Sequence, residues 1–250
     1  MIRHKYNNIY WRNRRGINGW GDTLNRLSYY YRMNEHVPTV CNFWDKYDNF
    51  EKAIFIRKHI FQRNTNFAIL SPFNFERDHT NFSHSHYMMP YHEYWPSKYT
   101  HKGLKNKKIA FNLYRNNFPQ HLKHLLHHLE LENKEYKDDL NELQNELYWA
   151  GYEMISLYDL DDYRGCSKIM KDPVSCINAN MKILEECEYF IGSEGFMTHV
   201  SRSMKVPTLV FFNNIRTSTT YQLIKTFDKS IQHPVYSNQD IFKKILDISP

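Results

Sequence analysis

The 250-residue chain lacks the staples and long apolar runs that would place it in several large protein classes. Its four cysteines, Cys41, Cys166, Cys176 and Cys187, are scattered without a Cys-x-x-Cys pair. That pattern fits neither a zinc ribbon nor a disulfide framework, and the expectation is free thiols. Among the longest apolar stretches is Val206 to Phe212, far short of the roughly 20 residues that span a bilayer. The N-terminus is basic and aromatic without the apolar centre of a signal peptide, so a cytoplasmic protein is expected. Acidic residues are missing before Asp22, in a stretch that carries Arg3, Lys5, Arg12, Arg14 and Arg15.

What charge there is divides unevenly along the chain. Residues 1–129 hold 20 Lys/Arg against 8 Asp/Glu, a net of +12, whereas residues 130–250 hold 13 against 19, a net of −6. A basic half with interleaved aromatics can attract a polyanion, because clustered cations release counterions from phosphates and exposed rings stack on bases. A solvated basic surface is the plainer alternative.

Periodicity and turn residues outline an α/β chain. A short strand at Asn8–Trp11 runs to the Gly19-Trp20-Gly21-Asp22 turn, and Leu24, Leu27, Tyr31 and Met33 then mark a helix over 22–35 with Asp22 as its cap. The β-rich run 38–44 follows, which completes the opening of a βαβ unit. Residues 71–105, rich in Pro, Ser, Asn, His and Tyr, read as an irregular segment between two lobes, 1–104 and 105–250. Beyond it the expected order is strand 107–114, helix 119–131, helix 138–150 ending at Gly151, strand 152–158 and helix 178–187. Last come strand 189–191, turn 192–195, helix 196–204 and strand 207–212. Such alternation argues a parallel sheet covered on both faces.

The segment Glu188 to Phe212 carries the most chemistry. A glycine-bearing turn from strand to helix brings backbone close to a ligand, and the helix start offers free N–H groups and partial positive charge to a phosphate. Gly192, Ser193, Glu194, Gly195, Thr198 and His199 are therefore candidates for a nucleotide-binding site, with Glu194 placed to accept from ribose or sugar hydroxyls. A purely structural turn, with Glu194 capping the helix and His199 packed, is the competing reading. Just past the strand at 109–114, Arg115 and Asn112 are further polar candidates at a strand end, a surface ion pair being the plainer use of the arginine. Histidines crowd 79–101 and recur at His121, His124 and His128, but no sharp ligand set accompanies them and no metal is expected.

The run Phe190-Ile-Gly-Ser-Glu-Gly-Phe-Met-Thr-His-Val-Ser-Arg-Ser-Met-Lys-Val-Pro-Thr-Leu-Val210 resembles the donor-site motif of heptosyltransferase-like glycosyltransferases. It departs from that motif in having Glu194 where an aspartate is usual, and the chain is shorter than such enzymes. The resemblance implies a GT-B-like fold, two Rossmann-like lobes with parallel sheets and here a compact N-terminal lobe. It also implies an inverting, metal-independent transfer of a sugar from a nucleoside-diphosphate-sugar, with no further cofactor, and puts Arg115, assisted by Asn112, where such enzymes grip the donor pyrophosphate. Gly21-Asp22-Thr23-Leu24 looks like that family's Gly-Asp turn, which makes Asp22 the implied general base toward the acceptor hydroxyl, against a rival role as helix cap.

The acceptor lobe of that family is the N-terminal one, so the basic balance suggests an anionic acceptor. The Asn-, Lys-, Tyr- and Phe-rich composition has a viral look, and DNA modification by bacteriophage enzymes that glycosylate hydroxymethylated bases supplies one such acceptor. A phosphorylated oligosaccharide supplies the other. Turning a base out of the stack would fall to Tyr10, Trp11 and Trp20 with Arg12, Arg14 and Arg15. A non-catalytic nucleic-acid-binding protein on a degenerate glycosyltransferase scaffold is the alternative from a different class.

Overall fold

The computed structural model describes residues 7–11, 20, 21, 23–25, 27, 28, 31, 39–43, 47–62, 68–70, 96–112, 141–159, 168, 169, 172–193, 195–211, 224 and 227–248. Two parallel sheets dominate it. The smaller joins β1 (Asn7–Trp11), β2 (Thr39–Phe43) and β3 (Ala68–Leu70) in that order, all parallel. The larger contains β4 (Lys108–Asn112), β5 (Glu153–Ser156), β8 (Tyr189–Ser193), β9 (Thr208–Phe211) and β10 (Gln232–Val235), ordered β10-β9-β8-β4-β5 and parallel throughout. Between β5 and β8 in the chain, β6 (Tyr158–Asp159) and β7 (Lys168–Ile169) form a separate parallel pair.

Strand periodicity explains why the larger sheet is buried on both sides. Along β4, Ile109 and Phe111 enter one apolar cluster and Ala110 the other; along β8, Tyr189 and Ile191 are divided from Phe190 in the same way. Successive side chains of a strand point to opposite faces, so each strand feeds two cores. One face is covered by Leu143 and Leu147 of a helix at 141–149 and by Ile241 and Ile245 of α4 (Asn238–Ile248). The other is covered by α2 (Pro173–Glu186) and α3 (Phe196–Ser203), and by N-terminal helical residues including Leu24, Leu27 and Tyr31. To these α1 (Tyr47–His59) adds Ala53 and Ile56. Residues from both sides of position 104 thus share one continuous core. This is a Rossmann-like α/β arrangement.

Local signals set several boundaries. Gly151 stands at φ +85 after the 141–149 helix. Its N–H donates to the Tyr148 carbonyl (2.9 Å) and the Tyr152 N–H to the Leu147 carbonyl (2.8 Å), the paired bonds of a glycine-terminated helix. The helix expected at 178–187 begins earlier, at Pro173, because Asp172 caps it by accepting from the Ser175 N–H at 2.8 Å and proline suits the first helical position. The N-terminal helix likewise starts earlier than expected. Trp20 and Gly21 are already helical, so its cap lies upstream of position 22.

Part of the expected interlobe segment is described, and it is hydrogen-bonded on both sides. Ser97 N–H donates to the Ser203 carbonyl at the end of α3 (3.0 Å), and Lys98 N–H to the Ile60 carbonyl just past α1 (2.8 Å). No helix among the described residues is long and apolar enough to cross a membrane.

Candidate functional site

In an open parallel sheet the crevice for a ligand lies beyond the carboxyl ends of the strands, where the strand order reverses. From β4 the chain moves to β5 on one side, then returns to place β8 on the other. The switch point is therefore between β4 and β8, and the register sets Asn112 opposite Gly192 at its mouth.

Strand β8 continues through Ser193, so the expected four-residue turn is shorter, with position 194 and Gly195 alone joining β8 to α3. Gly192 consequently belongs to the strand. A Cβ there would lie 2.5 Å from Cζ of Phe190, so the absence of a side chain makes room for that core ring. Gly195 is the N-cap of α3 and provides no side-chain hydrogen bond, and no acidic residue stands in the first turn. The carbonyl of Gly195 accepts from the N–H groups of Thr198 (3.1 Å) and His199 (3.4 Å). A helix start without a side-chain cap is receptive to an anion.

Thr198 and His199 are both buried, at 3% and 8% exposure. What lies against His199 comes from the other end of the chain. A Cβ on Gly21 would stand 2.7 Å from His199 Cδ2, 3.1 Å from its Nε2 and 3.5 Å from the Phe196 nitrogen. Only glycine lets the N-terminal helix approach the imidazole and the start of α3 this closely without displacing either. Trp20 packs beside it, its ring centroid 5.2 Å from that of Phe55 and 5.7 Å from that of Phe196, with the Lys52 ammonium 5.7 Å from the indole. The structure therefore unites Trp20 and Gly21, from the Gly-Asp segment, with Gly195, Thr198 and His199, from the donor-like motif.

Asn112 adds an acceptor. The residue is 8% exposed, and its Oδ1 has no hydrogen-bond partner among the described residues. A buried acceptor left dry costs about 1–3 kcal/mol. Two buried serine hydroxyls, Ser28 and Ser203, are also without partners among the described residues, but each is helical and can rotate toward a carbonyl of its own helix. An amide oxygen only accepts, so a neighbouring carbonyl cannot satisfy it and it needs an N–H or O–H donor.

Other sequence-derived candidates fall outside this geometry. Asp22, Arg115, Glu194, Arg12, Arg14 and Arg15 lie outside the described residues. Tyr10 and Trp11 belong to β1 and Ser193 to β8, known here through their backbones. Of the histidines at 79–101, His101 is described, with Nε2 2.8 Å from the Cys187 carbonyl oxygen. His121, His124 and His128 lie outside the described residues.

No group of three or more His, Cys, Asp or Glu placed to hold a metal occurs among the described residues. The sequence does carry one Asp-x-Asp triplet at Asp159-Leu160-Asp161, a spacing able to hold a divalent cation. Asp159 ends β6, and the other two lie outside the described residues. Two of the expected free thiols are seen as such, Cys176 and Cys187, both buried.

No family model, no curated protein and no solved structure matches this chain.

Proposed function

We propose that the chain is a nucleotide-sugar-dependent glycosyltransferase whose donor site is the β4/β8 switch point and the start of α3. The observation that carries this reading is the contact of Gly21 with His199 and with the first nitrogen of α3. Two segments distant in the chain, one resembling the donor motif and the other the Gly-Asp turn of the same enzyme family, meet in space. A chance likeness of either segment would not require that meeting.

In this reading the donor's diphosphate lies at the uncapped start of α3, where backbone N–H groups and the helix dipole stabilise the charge that develops as the diphosphate departs. Asp22, the residue after Gly21, takes the proton of the acceptor hydroxyl as that oxygen attacks the anomeric carbon from the opposite side. Arg115 and Glu194 hold the pyrophosphate and a sugar hydroxyl respectively. The net of +12 in residues 1–129 favours an anionic acceptor, hydroxymethylated DNA bases and phosphorylated oligosaccharides being the two kinds to test.

The test is a thermal-shift panel of nucleoside diphosphates and their sugar conjugates, run with and without EDTA. A donor at 100 times its dissociation constant stabilises the fold by about 2.7 kcal/mol, and EDTA leaves that gain unchanged. A flat panel contradicts the reading. A flat panel together with salt-sensitive DNA binding favours the non-catalytic nucleic-acid-binding alternative.

A further inference from the structure

We propose that Asn112 is a specificity-determining residue that accepts a hydrogen bond from a sugar hydroxyl of the nucleotide-sugar. This rests on the functional reading above, and it separates Asn112 from the pyrophosphate contacts with which its place beside Arg115 would group it.

Among the described residues one buried side-chain atom of Asn112 is left without a partner. As placed it is Oδ1, an acceptor, on a residue 8% exposed; with the amide turned, Nδ2 would stand there and donate to a phosphate oxygen, an alternative that the pyrophosphate arm of the test reads. A diphosphate ionised at neutral pH presents acceptor oxygens only, so it has nothing to donate to an amide oxygen. The complement of Oδ1 is an O–H or N–H group. Elsewhere the same fold satisfies a buried asparagine in full. Asn180, 2% exposed, accepts from the Tyr158 N–H at 2.7 Å and donates through Nδ2 to the Tyr158 carbonyl at 2.8 Å. Since buried polar groups are paired as a rule, the orphan at Asn112 points to a partner that arrives with a ligand.

Its position selects the group. Asn112 ends β4 opposite Gly192, and Gly192 lies three residues before the Gly195 cap of α3. Adjacent strands are about 4.8 Å apart. With the diphosphate at the start of α3, the groups one strand away are those bonded directly to it, the ribose on one side and the transferred sugar on the other. Both carry hydroxyls, whereas the base lies a further sugar away.

The test is calorimetric titration of the full chain, as wild type, Asn112→Ala and Asn112→Asp. The probes are UDP, GDP and ADP with their 2′-deoxy and 3′-deoxy counterparts, UDP- and GDP-hexoses with their deoxyhexose counterparts, and inorganic pyrophosphate. For the wild type, removing the recognised hydroxyl weakens binding about tenfold. Whether the loss follows a ribose or a hexose deoxygenation identifies which sugar is read. Asn112→Ala binds parent and deoxy compounds alike and leaves pyrophosphate affinity unchanged. Asn112→Asp keeps an acceptor and so keeps the discrimination, which decides the matter if the alanine variant does not fold. Equal wild-type affinity for every deoxy compound and its parent overturns the proposal, as does a loss of pyrophosphate binding in Asn112→Ala as large as that of the nucleotide. If no nucleotide or nucleotide-sugar binds the wild type, the glycosyltransferase reading itself falls and the role of Asn112 falls with it.

Discussion

The two edges of the five-stranded sheet are built by different rules. At the amino edge several polar groups are tightly paired, with Ser203 Oγ at the end of α3 an exception among the described residues. Glu188, 6% exposed, accepts from the Lys107 N–H at 2.9 Å and lies 3.9 Å from the Lys105 ammonium. The Asn106 amide donates to the Glu186 carbonyl at 2.8 Å and accepts from the Lys108 N–H at 3.1 Å. Thr208 Oγ1 donates to the Val206 carbonyl at 2.8 Å and lies 2.9 Å from Ser201 Oγ, and burial pushes the Cys187 thiol up to about 12. At the carboxyl edge, by contrast, α3 starts without a side-chain cap, Asn112 Oδ1 lacks a partner among the described residues, and a glycine backbone is pressed against an imidazole. One sequence follows the satisfaction rule at one end of its strands and relaxes it at the other. Such local departures are where function is expected to reside.

Substitutions at the two edges should therefore separate stability from chemistry. The largest effect is expected from Asp22→Asn. Turnover falls roughly 100-fold or more while donor affinity and melting temperature hold, because the amide keeps its shape but cannot take a proton at neutral pH. Near-normal turnover removes Asp22 from the mechanism. Gly21→Ala comes next. Its Cβ forces His199 or the N-terminal helix aside, which costs about 1–3 kcal/mol by overpacking, and nucleotide affinity drops in the same variant. If calorimetry finds affinity intact in a destabilised protein, the Gly21 contact is structural only.

The amino edge should behave in the opposite way. Glu188→Ala takes the acceptor from the Lys107 N–H and lowers stability by about 1–2 kcal/mol in denaturant unfolding, with no change in ligand affinity. Smallest is Gly151→Ala. At φ +85 an L side chain is strained, so about 1 kcal/mol is lost, again with ligand affinity unchanged. Any loss of nucleotide binding in either variant beyond what unfolding explains would break the division between the edges.

The strands of the larger sheet were largely legible because their runs are short and apolar and are bounded by charged, amide or glycine residues. Ile109 to Phe111 and Tyr189 to Ile191 are of that kind, and Gly151 marked a helix end for a reason its φ bears out. Helix α1 was overlooked although Ala53, Ile56 and Ile60 carry the i, i+3, i+7 spacing of a buried face. So was α4, where Ile241 and Ile245 follow a start at which Ser237 Oγ accepts from the Asp240 N–H at 3.1 Å. In β10, His233 and Pro234 interrupt the apolar pattern, and the strand is recognised only through its pairing with β9.

For the site, sequence position was enough to single out Asn112, Gly195 and His199 as residues at a strand end and a helix start. It could not reveal that Gly21 packs on His199, since no local periodicity encodes a contact between distant segments. Nor could it reveal that a side chain at Gly192 would meet the ring of Phe190. The orphan state of Asn112 was equally hidden, because it depends on which partners the fold fails to supply. Trp20, read as a surface for a base, lies partly buried against Phe55 and Phe196.

The most direct test of the central claim is a crystal structure of the chain with the nucleoside diphosphate that the binding panel selects. The account predicts the diphosphate at the start of α3, with phosphate oxygens within hydrogen-bond distance of backbone N–H groups following Gly195 and the adjoining sugar beside Asn112. A nucleotide bound in any other crevice, with the β4/β8 switch point empty, contradicts it.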